Sequence, residues 1–284
     1  MKILVIGATG MLGNAIFRFL SESSPWDIFG TTRSQSAKKF FNPALATNLV
    51  SGIDIDQHDS LIGVFTRIRP DIVINCVGLI KQLADAEDPL QAIPINALLP
   101  HRLARMCELT NSRLVHMSTD CVFSGAVGNY RESDLPDAQD LYGRSKLLGE
   151  VTYSHTVTLR TSIIGHELQS TNGLVGWFLS QAEQCNGYTR AIFSGLPTVV
   201  LAQIIRDFVI PNKELSGLYH VASEPISKFE LIKLVATVYG KSINVVPDER
   251  VVIDRSLNAE RFRSATGYVA TNWSEMIKIM NIFN

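Results

Sequence analysis

Met1-Lys2-Ile3-Leu4-Val5-Ile6-Gly7-Ala8-Thr9-Gly10-Met11-Leu12-Gly13 is the stretch that decides the fold. Its opening apolar run reads as a buried parallel strand, and three glycines at a spacing of three follow it at once. From Met11 to about Glu22 the pattern turns amphipathic with a helical period, completing strand, tight turn and helix. Glycines there allow left-handed dihedrals and close backbone approach, while the helix N-terminus offers free N–H groups to a pyrophosphate. Gly7, Thr9, Gly10, Met11, Leu12 and Gly13 are therefore candidate dinucleotide-binding residues. The spacing is Gly-x-x-Gly-x-x-Gly rather than Gly-x-Gly-x-x-Gly; position and flanks favour a nucleotide turn over an ordinary strand-to-helix turn.

Working outward, a second strand is expected over Asp27 to Thr32, with no acid at its tip. An Asp or Glu there would bind the ribose 2′-hydroxyl of NAD, whereas Arg33 beside hydroxyl residues suits a 2′-phosphate, which favours NADP(H) over NAD(H). A solvent-facing loop arginine is the competing reading of Arg33. Asp54 and Ile55 follow another short extended stretch and could approach the adenine, although acids before a helix serve equally well as caps. Asp71 to Gly78 reads as a further buried strand, whose end carries Asn75, Cys76, Val77 and Gly78. In an open parallel sheet the ligand lies outside the carboxyl ends of the strands, so this end should border the cofactor.

Strand and helix signals alternate almost to the end of the 284 residues, predicting an α/β fold: a Rossmann-type doubly wound parallel sheet with a smaller, discontinuous C-terminal lobe. A loop containing Pro89 and Pro94 should precede a helix beginning near Asn96, and Arg113 to Asp120 should form the next strand. Val157 to Gly165 reads as the last strand of the main sheet. Residues 1–165 are thus assigned to the dinucleotide-binding domain, with 198–217 returning to it, and 166–284 mainly to a substrate lobe. Two packed helices are expected in the tail, over Asn258 to Gly267 and Trp273 to Phe283.

A formal net charge of −1 and the absence of a Lys/Arg-rich stripe argue against nucleic acid as a partner. No apolar run approaches the roughly 18 residues of a membrane span, and the first strand is too short for a signal-peptide core. Cys76, Cys107, Cys121 and Cys185 lack metal or redox spacing and read as reduced thiols, which with the rest points to a cytoplasmic location.

Tyr142 and Lys146 place a phenol and an ammonium four residues apart on an expected helix, so that the lysine charge could lower the tyrosine pKa. Alone, that spacing is common on solvated helix faces. Together with the glycine turn and the strand-end run Ser118-Thr119-Asp120, it resembles the extended short-chain dehydrogenases/reductases. More narrowly, Ser118-Thr119-Asp120-Cys121-Val122-Phe123-Ser124-Gly125, Tyr142-Gly143-Arg144-Ser145-Lys146 with Gly149-Glu150, and Asp254-Arg255-Ser256-Leu257-Asn258 resemble the dTDP-4-dehydrorhamnose reductase-like branch.

The resemblance implies an NAD(P)H-dependent reductase of a nucleotide-linked 4-keto-6-deoxy sugar, serving surface polysaccharide synthesis. It makes Tyr142 the proton donor, Lys146 the residue that holds the nicotinamide ribose and tunes Tyr142, and Thr119 the hydrogen-bond partner of the carbonyl or phenol. Thr119, Asp120, Cys121 and Arg255 are the expected substrate contacts, and no metal is called for. Asn96 matches an asparagine that positions the lysine in the superfamily, and also reads as a helix N-cap. Arg255 reads either as a pyrophosphate ligand or as a surface ion pair. Many reductases of the branch carry Tyr where this chain has Cys121. Sugar-nucleotide dehydratases of the superfamily carry an Asp-Glu pair after the threonine, whereas Cys121 follows Asp120 here. An epimerase or dehydratase, or a non-catalytic regulatory subunit such as the branch member in methionine adenosyltransferase, are the alternatives. A homodimer through the Tyr142 helix and its predecessor near Asn96 to Glu108 is a further expectation, with ordinary core packing as the other reading of those faces.

Overall fold

The computed structural model describes residues 1–80 and 87–284. Seven parallel strands form the central sheet: β1 (Lys2–Ile6), β2 (Asp27–Thr32), β3 (Leu49–Ser51), β4 (Ile72–Asn75), β5 (Arg113–Thr119), β6 (Thr156–Thr161) and β7 (Gly217–His220), in the spatial order β7-β6-β5-β4-β1-β2-β3. The order reverses at β1, which pairs with both β2 and β4, so the crevice of a Rossmann-like α/β fold opens beyond the end of β1.

Strand β1 shows why both faces of the sheet are covered. Ile3 and Val5 enter one core cluster with Ile16, Phe17 and Leu20 of helix α1 (Met11–Ser23), whereas Leu4 and Ile6 enter the other with Leu61, Phe65 and Leu103. Successive strand residues point to opposite faces, so a run that is apolar throughout needs a layer on each side. Each such side chain contributes about 1.5–3 kcal/mol when fully buried. On the second face lie helices α2 (His58–Ile68) and α3 (Leu99–Leu109).

Two features depart from the sequence reading. The helix expected near Asn96 begins earlier, at Pro89–Ala92, continues through a π-helical stretch at Ile93–Leu98 and runs into α3. Asp88 caps it by accepting from the Leu90 amide at 2.9 Å, and Pro89 occupies a first-turn position where its missing N–H costs nothing. The wider π turn contains Pro94, which signals a loop in sequence. Asn96 is consequently not a cap.

The sheet also does not end at β6. Strand β7 pairs parallel to β6, Leu218 opposite Thr158, so the return of the chain to the sheet extends to His220. Beyond β6, Ile163–Ile164 forms a separate short pairing with Leu196–Pro197. The Tyr142 helix, α4 (Leu141–Leu148), is capped by Asp140, whose carboxylate accepts from the Gly143 amide at 2.8 Å. Helix α5 (Thr198–Ile204) joins the core that α1 enters, and helices α6 (Lys228–Val238), α7 (Glu260–Thr266) and α8 (Trp273–Phe283) complete the chain. Among the described residues, no helix is long and apolar enough to cross a membrane.

Candidate active site

At the end of β1 the chain turns so tightly that a Cβ on Gly13 would lie 2.1 Å from the Gly7 carbonyl oxygen, and Gly7 itself has φ of 87°. The turn is tied to β2, since the Gly7 amide donates to Thr31 Oγ1 at 3.1 Å and the Ala8 amide to the Thr31 carbonyl at 3.0 Å. Gly10 is the N-cap of α1, with no side-chain hydrogen bond to the helix amides and no acid in the first turn. The positive end of the helix therefore has its N–H groups, those of Met11 and Leu12 included, open to an anion. Asn14, in the next turn, keeps a buried Nδ2 without a hydrogen-bond partner. An uncapped helix end and an orphaned amide beside a glycine turn fit the pyrophosphate of a dinucleotide.

The remaining cofactor candidates distribute around this turn. Arg33 is exposed just beyond β2. Asp54 is exposed and spends one carboxylate oxygen on the Asp56 amide at 3.0 Å, in a local Asx turn, while Ile55 packs on the core. At the end of β4, Asn75 Oδ1 accepts from the Val77 amide at 3.1 Å, fixing the turn through Cys76 and Gly78. A Cβ on Gly7 would meet Val77 Cγ2 at 2.7 Å, so the two turns pack directly together. Asn75 Nδ2 donates to His116 Nδ1 at 3.1 Å; an amide nitrogen can only donate, so the imidazole proton sits on Nε2, buried without a partner.

Across the crevice, Thr119 ends β5 and its hydroxyl accepts from the Cys121 amide at 3.1 Å while donating to Asp120 Oδ1 at 3.2 Å. Helix α4 lies against this turn and carries Tyr142 and Lys146. Burial pushes the Tyr142 phenol well above its ordinary range, the neighbouring Cys121 and Asp120 push the same way, and a hydrogen bond with Thr119 opposes them. The lowering of Tyr142 by Lys146 expected from helical spacing is therefore not what the structure produces: spacing registers the charge and misses the burial.

Lys146 is buried and donates from Nζ to the Met117 carbonyl at 2.8 Å; burial lowers it to about 8, against the pull of Glu150. A Cβ on Gly78 would stand 3.7 Å from Lys146 Nζ and 3.3 Å from Asn96 Oδ1, so the β4 turn, Lys146 and Asn96 converge. Asn96 accepts from the Leu79 amide at 2.9 Å and donates to Ser145 Oγ at 3.2 Å, acting as a brace between that turn and α4.

Arg255 arrives from the far end of the chain because Tyr130 bridges to Leu257 and the Asp254 amide donates to the Gly125 carbonyl at 2.8 Å. Its Nε donates to the Phe123 carbonyl at 2.8 Å and its Nη1 to Cys121 Sγ at 3.7 Å, so it flanks the site rather than forming a surface ion pair. Its charge partly offsets the burial that raises Asp120. The Cys121 thiol is pushed up to about 12, chiefly by burial, and is neutral.

Sequence reasoning on single residues passed over the buried cluster behind this site. Ser118 Oγ donates to Glu150 Oε1 at 2.6 Å, Arg160 clamps Glu150 through two further bonds of 2.6 Å, and Arg160 Nη1 donates to His220 Nε2 at 3.2 Å. His220 Nδ1 faces the Tyr130 carbonyl at 3.0 Å; a guanidinium only donates and a carbonyl only accepts, which fixes the neutral tautomer. The available signal was a charged Arg160 inside an otherwise uncharged strand.

With this geometry in place, comparison with known proteins is informative. The methionine adenosyltransferase 2 subunit beta of Danio rerio is 27% identical over 263 residues, covering 87% of this chain and 76% of its own. The probable low-salt glycan biosynthesis reductase Agl14 of Haloferax volcanii is 27% identical over 277 residues, covering 93% and 87%. The dTDP-4-dehydrorhamnose reductase of Bacillus anthracis, solved in complex with NADP, superposes with a TM-score of 0.80 at 24% identity, covering 99% of this chain and 98% of that one, a likeness of fold. The family model for the RmlD substrate binding domain matches residues 1–279. The chain belongs to that family, within the extended short-chain dehydrogenases/reductases of the dTDP-4-dehydrorhamnose reductase-like branch.

Proposed function

We propose that the protein is an NAD(P)H-dependent reductase of a nucleotide-linked 4-keto-6-deoxy sugar, with NADP(H) favoured by the exposed Arg33 at the end of β2. The observation that carries this reading is the convergence of Thr119, Tyr142 and Lys146 across the crevice from an uncapped glycine turn. Gly7, Gly10, Gly13 and the first amides of α1 would hold the pyrophosphate; Cys76, Val77 and Gly78 would border the nicotinamide side, with Lys146 on the ribose. The bound dinucleotide supplies the hydride.

The chain supplies the proton and its control. Raised by burial, the Tyr142 phenol holds its proton through the neutral range, which is the state a donor to an emerging C4 alkoxide requires. Thr119 orients the carbonyl oxygen beside that phenol, and the Lys146 charge offsets the phenolate left behind. Arg255 and Asp120, both beside Cys121, are the proposed contacts to the nucleotide-sugar, and residues 166–284 mainly build the lobe that receives it.

The test is oxidation of NADPH or NADH against dTDP-, UDP-, GDP- and CDP-linked 4-keto sugars, with consumption expected for at least one. Conversion of sugars without net consumption would make the protein an epimerase or dehydratase. A regulatory role is the second reading, favoured by the likeness to methionine adenosyltransferase 2 subunit beta, and silence across the whole panel would select it.

A further inference from the structure

Glu150 takes no part in the chemistry proposed above, yet its carboxylate is only 7% exposed and is saturated by Ser118 Oγ and by Arg160 Nε and Nη2, all at 2.6 Å. It lies just past the end of α4, one turn beyond Lys146. The two residues are moored to consecutive positions of β5: Lys146 Nζ binds the carbonyl of Met117, and Glu150 binds the hydroxyl of Ser118.

A buried ammonium bound to a neutral carbonyl is costly without a counter-charge. Of the other titratable groups facing Lys146, only Cys76 pulls in the same direction, and it carries no charge where Lys146 titrates. Cys76, from the end of β4, is a neutral thiol pushed to about 12 by burial. His116, from β5, is an imidazole held neutral chiefly by burial and further by the Lys146 charge. Tyr142, on the same helix, is a protonated phenol. Arg160, from β6, is bound to that carboxylate and backed by His220 of β7.

We propose that Glu150 is the counter-charge of Lys146, a positioning residue whose negative charge is locked in place by Ser118 and Arg160 so that the buried ammonium stays protonated at neutral pH. The pull of Glu150 on Lys146, opposing burial, runs in that direction. Because Arg160 and His220 also brace β6, β7 and the Tyr130 loop, the charge is held by the framework of the sheet rather than by a mobile side chain. The consequence for turnover rests on the reductase reading, but the charge state of Lys146 can be read without catalysis.

The experiment is a ¹³Cε-lysine NMR titration of the full chain, with the Lys146 resonance identified by its loss in Lys146→Met. A midpoint near 8 is expected for the parent protein, moving to lower pH by about one unit in Glu150→Gln, the scale of one nearby opposite charge. Should Glu150→Gln fail to fold because Arg160 is left unpaired, the double variant Glu150→Gln/Arg160→Met removes both charges of the pair and should shift the midpoint the same way. An unmoved midpoint in either folded variant overturns the proposal. A shifted midpoint in a protein for which none of the 4-keto sugars elicits NADPH oxidation would support the counter-charge and remove the reductase reading instead.

Discussion

Gly143 approaches Cys121 so closely that a Cβ at position 143 would lie 2.3 Å from the Cys121 carbonyl oxygen and 2.6 Å from Ala138 Cβ. This contact seats the Tyr142 helix on the turn that follows Thr119. The obstructing atom is backbone, so the helix rather than a side chain must move. Gly143→Ala should therefore cost about 1–3 kcal/mol, the range for overpacking a tight interior. It should also lower turnover by displacing Tyr142 from Thr119. Urea unfolding and turnover measured together check this; an unchanged midpoint would mean that the helix is not seated as described.

Tyr142→Phe removes the proton while leaving the ring. A positioned general acid contributes typically about 10²- to 10⁴-fold, so kcat should fall by that order while the dissociation constant for NADPH stays within a few-fold. Equal losses in binding and turnover would point to a structural role for the phenol.

Lys146 sets an alkaline limit. Its folded pKa is lowered from 10.5 to about 8, so the ammonium is present below about pH 8 and lost above it. The KM for the dinucleotide should climb as pH passes through 8. Stability moves the other way: between about 8 and 10.5 the unfolded chain binds more protons than the folded one, so this group's contribution to stability rises with pH across that window. An alkaline limb near pH 10 would show that the amine is not held as the structure has it.

The glycine turn was legible because its strand, turn and helix are local, and periodicity reports local structure. The start of the long helix was not, because Pro89 and Pro94 look like loop punctuation, whereas one sits at a capped first turn and the other within a π turn. Strand β7 was missed because Gly217-Leu218-Tyr219-His220 is a four-residue edge strand whose pairing depends on β6, sixty positions away. Thr119, Tyr142 and Lys146 could be selected by motif, but the direction of the Tyr142 shift could not, since it comes from burial by residues scattered along the chain.

Arg160 and Glu150 are 3% and 7% exposed, and their value to the fold depends on being removed singly or together. Arg160→Met alone strands a buried carboxylate whose remaining partner is Ser118, and should cost about 3–5 kcal/mol. The pair Arg160→Met/Glu150→Gln strands neither member of the ion pair, and should recover much of that loss, less what the buried Lys146 ammonium loses with its counter-charge, because desolvating two ions nearly cancels their attraction. His220, without its guanidinium donor, keeps its bond to the Tyr130 carbonyl, so the Tyr130 loop should hold. Chemical unfolding of the three proteins decides the point: a double variant no more stable than Arg160→Met would mean that the bidentate geometry itself, rather than relief of a stranded charge, carries the stabilisation.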